Sequence, residues 1–141
     1  MTVFLADMAK AAIAVGIAWA VSGEQRGPLA YAALCGAVAG HVAPVMRKFH
    51  GGKGVASAGG ALFVLFPEVS LVMFLSWFVI SKLTRKASVA SLAITIATPI
   101  GMLIDDAEPW ELYVVLGLVA FVIVKHIPNI RRLRSKTEPS L

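Results

Sequence analysis

The sequence predicts an all-α, polytopic integral membrane helix bundle, and three observations carry that expectation. Of its 141 residues, 58% are hydrophobic and 15% are charged, against about 25% charged in soluble chains. The apolar residues fall in long runs bounded by Gly, Pro and charge, and the mean hydropathy is +0.81. The charges gather in short clusters between those runs, a pattern that would leave a water-exposed globule with large bare patches.

Six runs read as helices: residues 3–21, 29–46, 55–66, 69–81, 89–104 and 110–127. At 1.5 Å per residue, residues 55–66 cover about 18 Å of a hydrocarbon core about 30 Å thick. The stretch 55–81 is therefore either two short helices broken at Pro67-Glu68 or one kinked span. Charge decides between them, because cytoplasmic loops collect Lys and Arg. With a turn at Pro67-Glu68, one side receives Arg47, Lys48, Lys53, Lys82, Arg85, Lys86, Lys125, Arg131, Arg132, Arg134 and Lys136, eleven of the 13 basic residues. The other side receives Glu24, Glu68, Asp105, Asp106, Glu108 and Glu111 with the single base Arg26. Merging the short helices would move Lys82, Arg85 and Lys86 across and spoil the division. The expectation is about six transmembrane helices with both termini cytoplasmic, a membrane domain over 1–130 and a basic cytoplasmic tail over 131–141. No base precedes Lys10 and no small-residue cleavage pattern follows a short apolar region, so no removable signal peptide is expected.

Composition also excludes functions. The single Cys35 cannot form an intrachain disulfide. The net charge of +5 is interleaved with apolar spans and lacks stacking aromatics, so it fits membrane topology and not nucleic acid. His41, His50 and His126 lack metal-ligand spacing, no Ser-His-Asp triad is apparent, and no cofactor is implied.

In the first span Asp7 and Lys10 are three apart and share a helical face. An ionisable group in hydrocarbon costs about 2.5 kcal/mol or more and marks function or pairing. A structural ion pair, or a Lys10 that reaches back to the interface, satisfies the same pattern.

The most informative stretch runs from Gly40-His41 through Gly51-Gly52-Lys53-Gly54 to Gly60. A helix ends, a basic glycine-rich loop follows, and another helix starts at the basic side. Glycines let backbone amides approach an anion, the next helix offers unpaired N–H groups, and Lys53 supplies a compact positive charge. In physical terms this is a phosphate site. It is not a Walker A loop, which needs Gly where Arg47 stands and Ser or Thr where Gly54 stands. A tight turn whose lysines merely obey the charge rule is the competing explanation. On the same side, Arg85-Lys86 leads into a helix carrying Ser88 and Ser91 three apart, and His126-Ile127-Pro128-Asn129 closes the last span ahead of Arg131 and Arg132. Taken singly, Ser88 reads as a helix cap, His126 as a dipole partner and Asn129 as a cap. Together the three loops each join a base with small hydroxyl, amide or imidazole groups.

These residues resemble the bacterial acyl-phosphate-dependent glycerol-3-phosphate acyltransferases, the PlsY family. Gly40-His41 with Pro44, Phe49, Gly51-Gly52-Lys53-Gly54-Val55-Ala56 and Gly60 is similar to the family's second motif. Arg85, Ser88 and Ser91, then His126, Asn129, Ile130, Arg132, Leu133, Thr137 and Glu138, are similar to its third, and Asp7 and Lys10 to an Asp-x-x-Lys of its second helix. The resemblance implies a bacterial plasma-membrane enzyme with a cytoplasm-facing site that moves a fatty acyl group from acyl phosphate to the 1-hydroxyl of glycerol 3-phosphate, giving lysophosphatidic acid. It implies that Gly51, Gly52, Lys53 and Gly54, with His41, Ser88 and Arg132, hold phosphate, and that Ser91, His126, Asn129 and Lys53 act on the reacting groups. The implied partners are both substrates, membrane lipid and an enzyme that produces acyl phosphate.

Family members usually have seven helices and begin with a motif Ser-Gly-Asn-x-Gly-x-Thr-Asn followed by Arg, which no stretch here matches. The chain starts where their second helix would, and a truncated or shortened start is expected. Ser57 stands where Thr is common, Ala43 where Phe is common and Lys136 where Gly is usual, and Pro128 falls between His126 and Asn129, where proline bends or ends a helix. The alternative to an acyltransferase is a non-catalytic relative that binds anionic lipid or a partner protein through its basic loops. A small anion transporter is disfavoured by acids confined to the far side and by the lack of an inverted repeat.

Overall fold

The computed structural model describes residues 2–44 and 51–141. The predicted end of the second span at Met46, and Arg47, Lys48, Phe49 and His50, lie outside the described residues. Among the described residues seven helices follow in order: α1 (Thr2–Ser22), α2 (Pro28–Val42), α3 (Val55–Leu65), α4 (Pro67–Thr84), α5 (Ala87–Ile104), α6 (Pro109–Lys125) and α7 (Ile127–Arg134). There is no strand among the described residues.

Proline punctuates this order. Pro28, Pro67 and Pro109 open α2, α4 and α6, and Pro128 sits in the first turn of α7. A proline there gives up no hydrogen bond, because the first N–H groups of a helix have no intrahelical partner. At α6 a capping box reinforces the start: the Glu111 carboxylate accepts the Glu108 N–H at 2.7 Å, and the Glu108 side chain caps in return. The segment 55–81 breaks at Phe66, whose φ of −136° and ψ of 73° are not helical, so two helices replace the kinked span.

Among the described residues, three helices are long and apolar enough to cross a membrane: Val3–Ser22, Pro67–Thr84 and Ala87–Ile104. The pair α6–α7, bent by 52°, makes a fourth if it is one span, and α2 and α3 are shorter apolar helices. Side chains such as Ile13, Ile17, Leu75, Val79, Ile96, Ile100 and Leu116 are exposed, as lipid-facing residues of a membrane protein are.

The chain divides into two compact units, Met1–Ser70 and Leu71–Leu141. In the first, α1 packs on α3 and α2. Ala11, Val15 and Ala18 recur on one face of α1 and are buried. Gly60 of α3 lies against the backbone of Met8, where a Cβ would collide with the Met8 carbonyl. Small residues let membrane helices approach this closely, since lipid supplies no hydrophobic drive to press them together. At the other end of α3, the Gln25 amide donates to the Val64 carbonyl at 2.6 Å, and the Arg26 guanidinium lies 4.2 Å above the Phe66 ring. In the second unit α5 packs on α6, and α6 bends into α7 at His126. The segment after α7 folds back, with Leu141 N–H donating to the Arg85 carbonyl at 2.8 Å.

Candidate active site

The α1–α3 contact at Gly60 carries the first turns of α1 to the end of α2. There Lys10 Nζ lies 2.6 Å from Asp7 Oδ1, so the predicted pair forms. It also extends to a third member: His41 Nδ1, in the last turn of α2, is 3.4 Å from Asp7 Oδ1 and 3.5 Å from Lys10 Nζ.

The glycine loop closes on the same histidine. Gly52 N–H donates to the His41 carbonyl at 3.2 Å. A Cβ at Gly51 would collide with that carbonyl, and one at Gly52 with Nε2 of the His41 ring. Gly54 is buried with φ of +88°, a conformation that glycine adopts without strain, and it begins α3 with no side-chain cap. Lys53 between them is half-buried. In the first turn of α3, Ser57 is fully buried and its hydroxyl has no hydrogen-bond partner among the described residues.

The second cluster lies in the other unit, around Glu138. The Asn129 amide donates to Glu138 Oε1 at 2.6 Å, and Arg132 Nε to Oε2 at 2.7 Å. Lys86 Nζ donates to the Glu138 backbone carbonyl at 2.6 Å. The buried Ser88 hydroxyl stands close enough to stabilise the carboxylate without being aligned as a hydrogen bond. Ser88 first, then Asn129 and Arg132, outweigh the opposing effect of burial and hold the Glu138 carboxyl down at about 2. His126 is 1% exposed at the bend, with Nδ1 2.8 Å from the Val122 carbonyl. A carbonyl only accepts, so Nδ1 carries a ring proton. Ser91 accepts a hydrogen bond from the Trp77 indole N–H at 3.1 Å. An indole only donates, so the Ser91 proton is directed elsewhere.

Comparison with known proteins adds a family to this geometry. Residues 1–136 match the family model described as glycerol-3-phosphate acyltransferase. The chain belongs to the PlsY family of glycerol-3-phosphate acyltransferases. It is 38% identical over 136 residues to the glycerol-3-phosphate acyltransferase of Rubrobacter xylanophilus, covering 95% of this chain and 66% of that protein. The Coxiella burnetii protein of the same name is 40% identical over 136 residues, covering 96% of this chain and 69% of that one. The Bacillus velezensis protein is 44% identical over 105 residues, covering 74% and 54%. The crystal structure of PlsY, an integral membrane glycerol 3-phosphate acyltransferase, in its glycerol 3-phosphate form superposes with a TM-score of 0.92 at 32% identity, covering 99% of this chain and 70% of that one. The lysophosphatidic acid form superposes equally well, with a TM-score of 0.92. The chain thus spans roughly half to two thirds of the length of these curated relatives.

Within this member of the PlsY family, the structure gathers His41, Gly51, Gly52 and Gly54 at the end of α2, and Ser88, Asn129 and Arg132 around Glu138. Ser91 stands in the first turns of α5 with Trp77, and His126 at the α6–α7 bend. Reading the sequence for chemistry matched Glu138 to a motif without giving it a role, and it overlooked Trp77. A signal for Glu138 was present, because it is the single acid in a tail holding Arg131, Arg132, Arg134 and Lys136. Six of the eight acids fall on the predicted far side; Asp7 and Glu138 are the two that do not, and each centres one cluster.

Proposed function

We propose that this chain transfers a fatty acyl group from acyl phosphate to the 1-hydroxyl of glycerol 3-phosphate, giving lysophosphatidic acid and inorganic phosphate. The observation that carries this reading is the glycine loop wrapped on His41: three glycines, at two of which any side chain would collide with His41, leave backbone amides and Lys53 to meet a phosphate at the start of an uncapped helix. Gly51, Gly52, Lys53, Gly54 and His41 hold phosphate, as do Ser88 and the outer guanidinium nitrogens of Arg132. The buried hydroxyl of Ser57 is a further donor at the start of α3.

In the reaction the hydroxyl oxygen attacks the acyl carbonyl carbon, a C–O bond forms, and the C–O bond to phosphate breaks. The hydroxyl proton leaves with the phosphate. Acyl phosphate is already activated, so the protein's contribution is positioning and charge stabilisation. Nε2 of His126 accepts from the attacking hydroxyl and orients it. Ser91 donates its proton to an anionic oxygen, and the Asn129 carbonyl oxygen accepts from substrate while its amide nitrogen is held by Glu138. The acyl tail lies among lipid-facing side chains.

The charge division supports a topology with both termini and the basic loops in the cytoplasm of a bacterium, at its plasma membrane, where an acyl-phosphate-producing enzyme supplies the donor. The test is lysophosphatidic acid formation by the purified chain in lipid nanodiscs, with Lys53→Ala alongside. Product that depends on Lys53 upholds the assignment, and product indifferent to Lys53→Ala removes the phosphate role of the loop. The basic loops favour a second reading, a non-catalytic relative binding anionic lipid. A folded chain that binds anionic vesicles and makes no product would establish it.

A further inference from the structure

The Asp7–Lys10 pair would be self-sufficient as an ion pair one helical turn apart, yet it is built against a histidine 31 residues further along the chain. His41 presents its two ring nitrogens to different neighbours: Nδ1 to Asp7 and Lys10, and Nε2 to the glycine loop at Gly52. Which nitrogen carries the proton is set by the hydrogen bond that the other makes. An ammonium has three donors and no acceptor. Lys10 spends one donor on Asp7 at 2.6 Å and has Nδ1 within range of a second at 3.5 Å, whereas the contact between Nδ1 and Asp7 Oδ1 at 3.4 Å is an ion-pair contact and not an aligned N–H···O bond.

We propose that Asp7 and Lys10 are positioning residues that fix His41 with its proton on Nε2, so that the histidine offers an N–H to the anion held by the glycine loop. Asp7 anchors the Lys10 ammonium, Lys10 donates to Nδ1, and Nε2–H then faces the loop with the sign of charge that a phosphate requires. The opposite tautomer would turn a lone pair toward the phosphate and weaken binding. This inference rests on the glycine loop being the phosphate site, and it gives a role to an Asp and a Lys placed in a membrane helix, where ionisable groups are costly.

The experiment uses the chain with 15N-labelled histidine in nanodiscs, His41 being assigned by loss of its signal in His41→Ala, and compares wild type with Lys10→Met and Lys10→Arg. Lys10 is 52% exposed at the helix surface, so both variants keep the fold, and a melting curve verifies it. The expected result is a proton on Nε2 in wild type and in Lys10→Arg, and a shift toward Nδ1–H bonded to Asp7 in Lys10→Met. With it, KM for glycerol 3-phosphate rises about tenfold in Lys10→Met with kcat little changed, the size expected for one hydrogen bond to a charged group, and Lys10→Arg restores it. A proton on Nδ1 in wild type, or a Lys10→Met variant with unchanged tautomer, overturns the proposal. If wild type makes no product, the proposed activity fails, while the tautomer spectra in the same sample still decide the role of Lys10.

Discussion

The Asn129 side-chain amide donates to the Glu138 carboxylate at 2.6 Å, which ties the first turn of α7 to the segment that follows it. Arg132 one turn later binds the other carboxylate oxygen at 2.7 Å. One acid therefore holds two of the candidate active-site residues at once, and its removal should be felt by both.

Glu138→Gln keeps the shape of the side chain and removes its charge. The variant should lose about 2 kcal/mol of stability, the range for hydrogen bonds to a charged group, and should expose the residues beyond α7 to protease. Melting in detergent and limited proteolysis check both. Unchanged melting would mean that the segment after α7 is held by its backbone contacts to Arg85 and Lys86 alone.

The same carboxyl predicts a pH dependence. Its folded-state value lies at about 2, below the ordinary 4.5, so the unfolded chain binds this proton at higher pH than the folded one. Its contribution is full above about 4.5 and is lost as pH falls from there toward about 2. The melting temperatures of wild type and Glu138→Gln should differ most at neutral pH and converge in that window.

Lys136 adopts a left-handed φ of +58° just past α7, where Thr137 N–H bonds the Arg132 carbonyl at 2.8 Å and Lys136 N–H bonds the Leu133 carbonyl at 3.2 Å. This is the paired hydrogen-bond pattern that favours glycine. Lys136→Gly should stabilise the chain by about 1 kcal/mol, the cost of a side chain in that conformation. A melting curve measures it; loss of stability would show that the lysine side chain compensates for its strain.

Adjacent glycines in α3 should respond in opposite ways. A Cβ at Gly60 would strike the backbone of Met8, and one at Gly59 meets nothing within 4 Å. Gly60→Ala should destabilise by about 1–3 kcal/mol as α1 is pushed away, and with Asp7 and Lys10 displaced it should also raise KM for glycerol 3-phosphate. Gly59→Ala should be neutral or stabilising by up to about 1 kcal/mol, because alanine is the better helix former. Equal responses would refute the close α1–α3 contact.

The six apolar helices were legible because each is marked within a few residues, by the length of its apolar run and by the proline or charge that bounds it. The Asp7–Lys10 pair was legible for the same reason, being less than one turn apart. The extra helix α7 was hidden in a basic stretch with little apolar signal, where Pro128 reads as a breaker although it serves as a helix start. Glu138 was visible as a matching position, and its grip on Asn129 and Arg132 was not, since it depends on the chain reversing after α7.

The amino-acid sequence by itself determined a membrane-embedded helical protein of the PlsY family, with its basic loops and its glycine loop in place, because hydropathy, charge and motif spacing are local properties. Only the tertiary structure decided that Asp7 meets His41, that Trp77 meets Ser91 and that Glu138 closes on Asn129 of α7. These partners are 34, 14 and nine residues apart. What joins them is the packing of helices at contacts such as Gly60 on Met8 and the fold-back of the last residues, and no local pattern encodes which faces will meet.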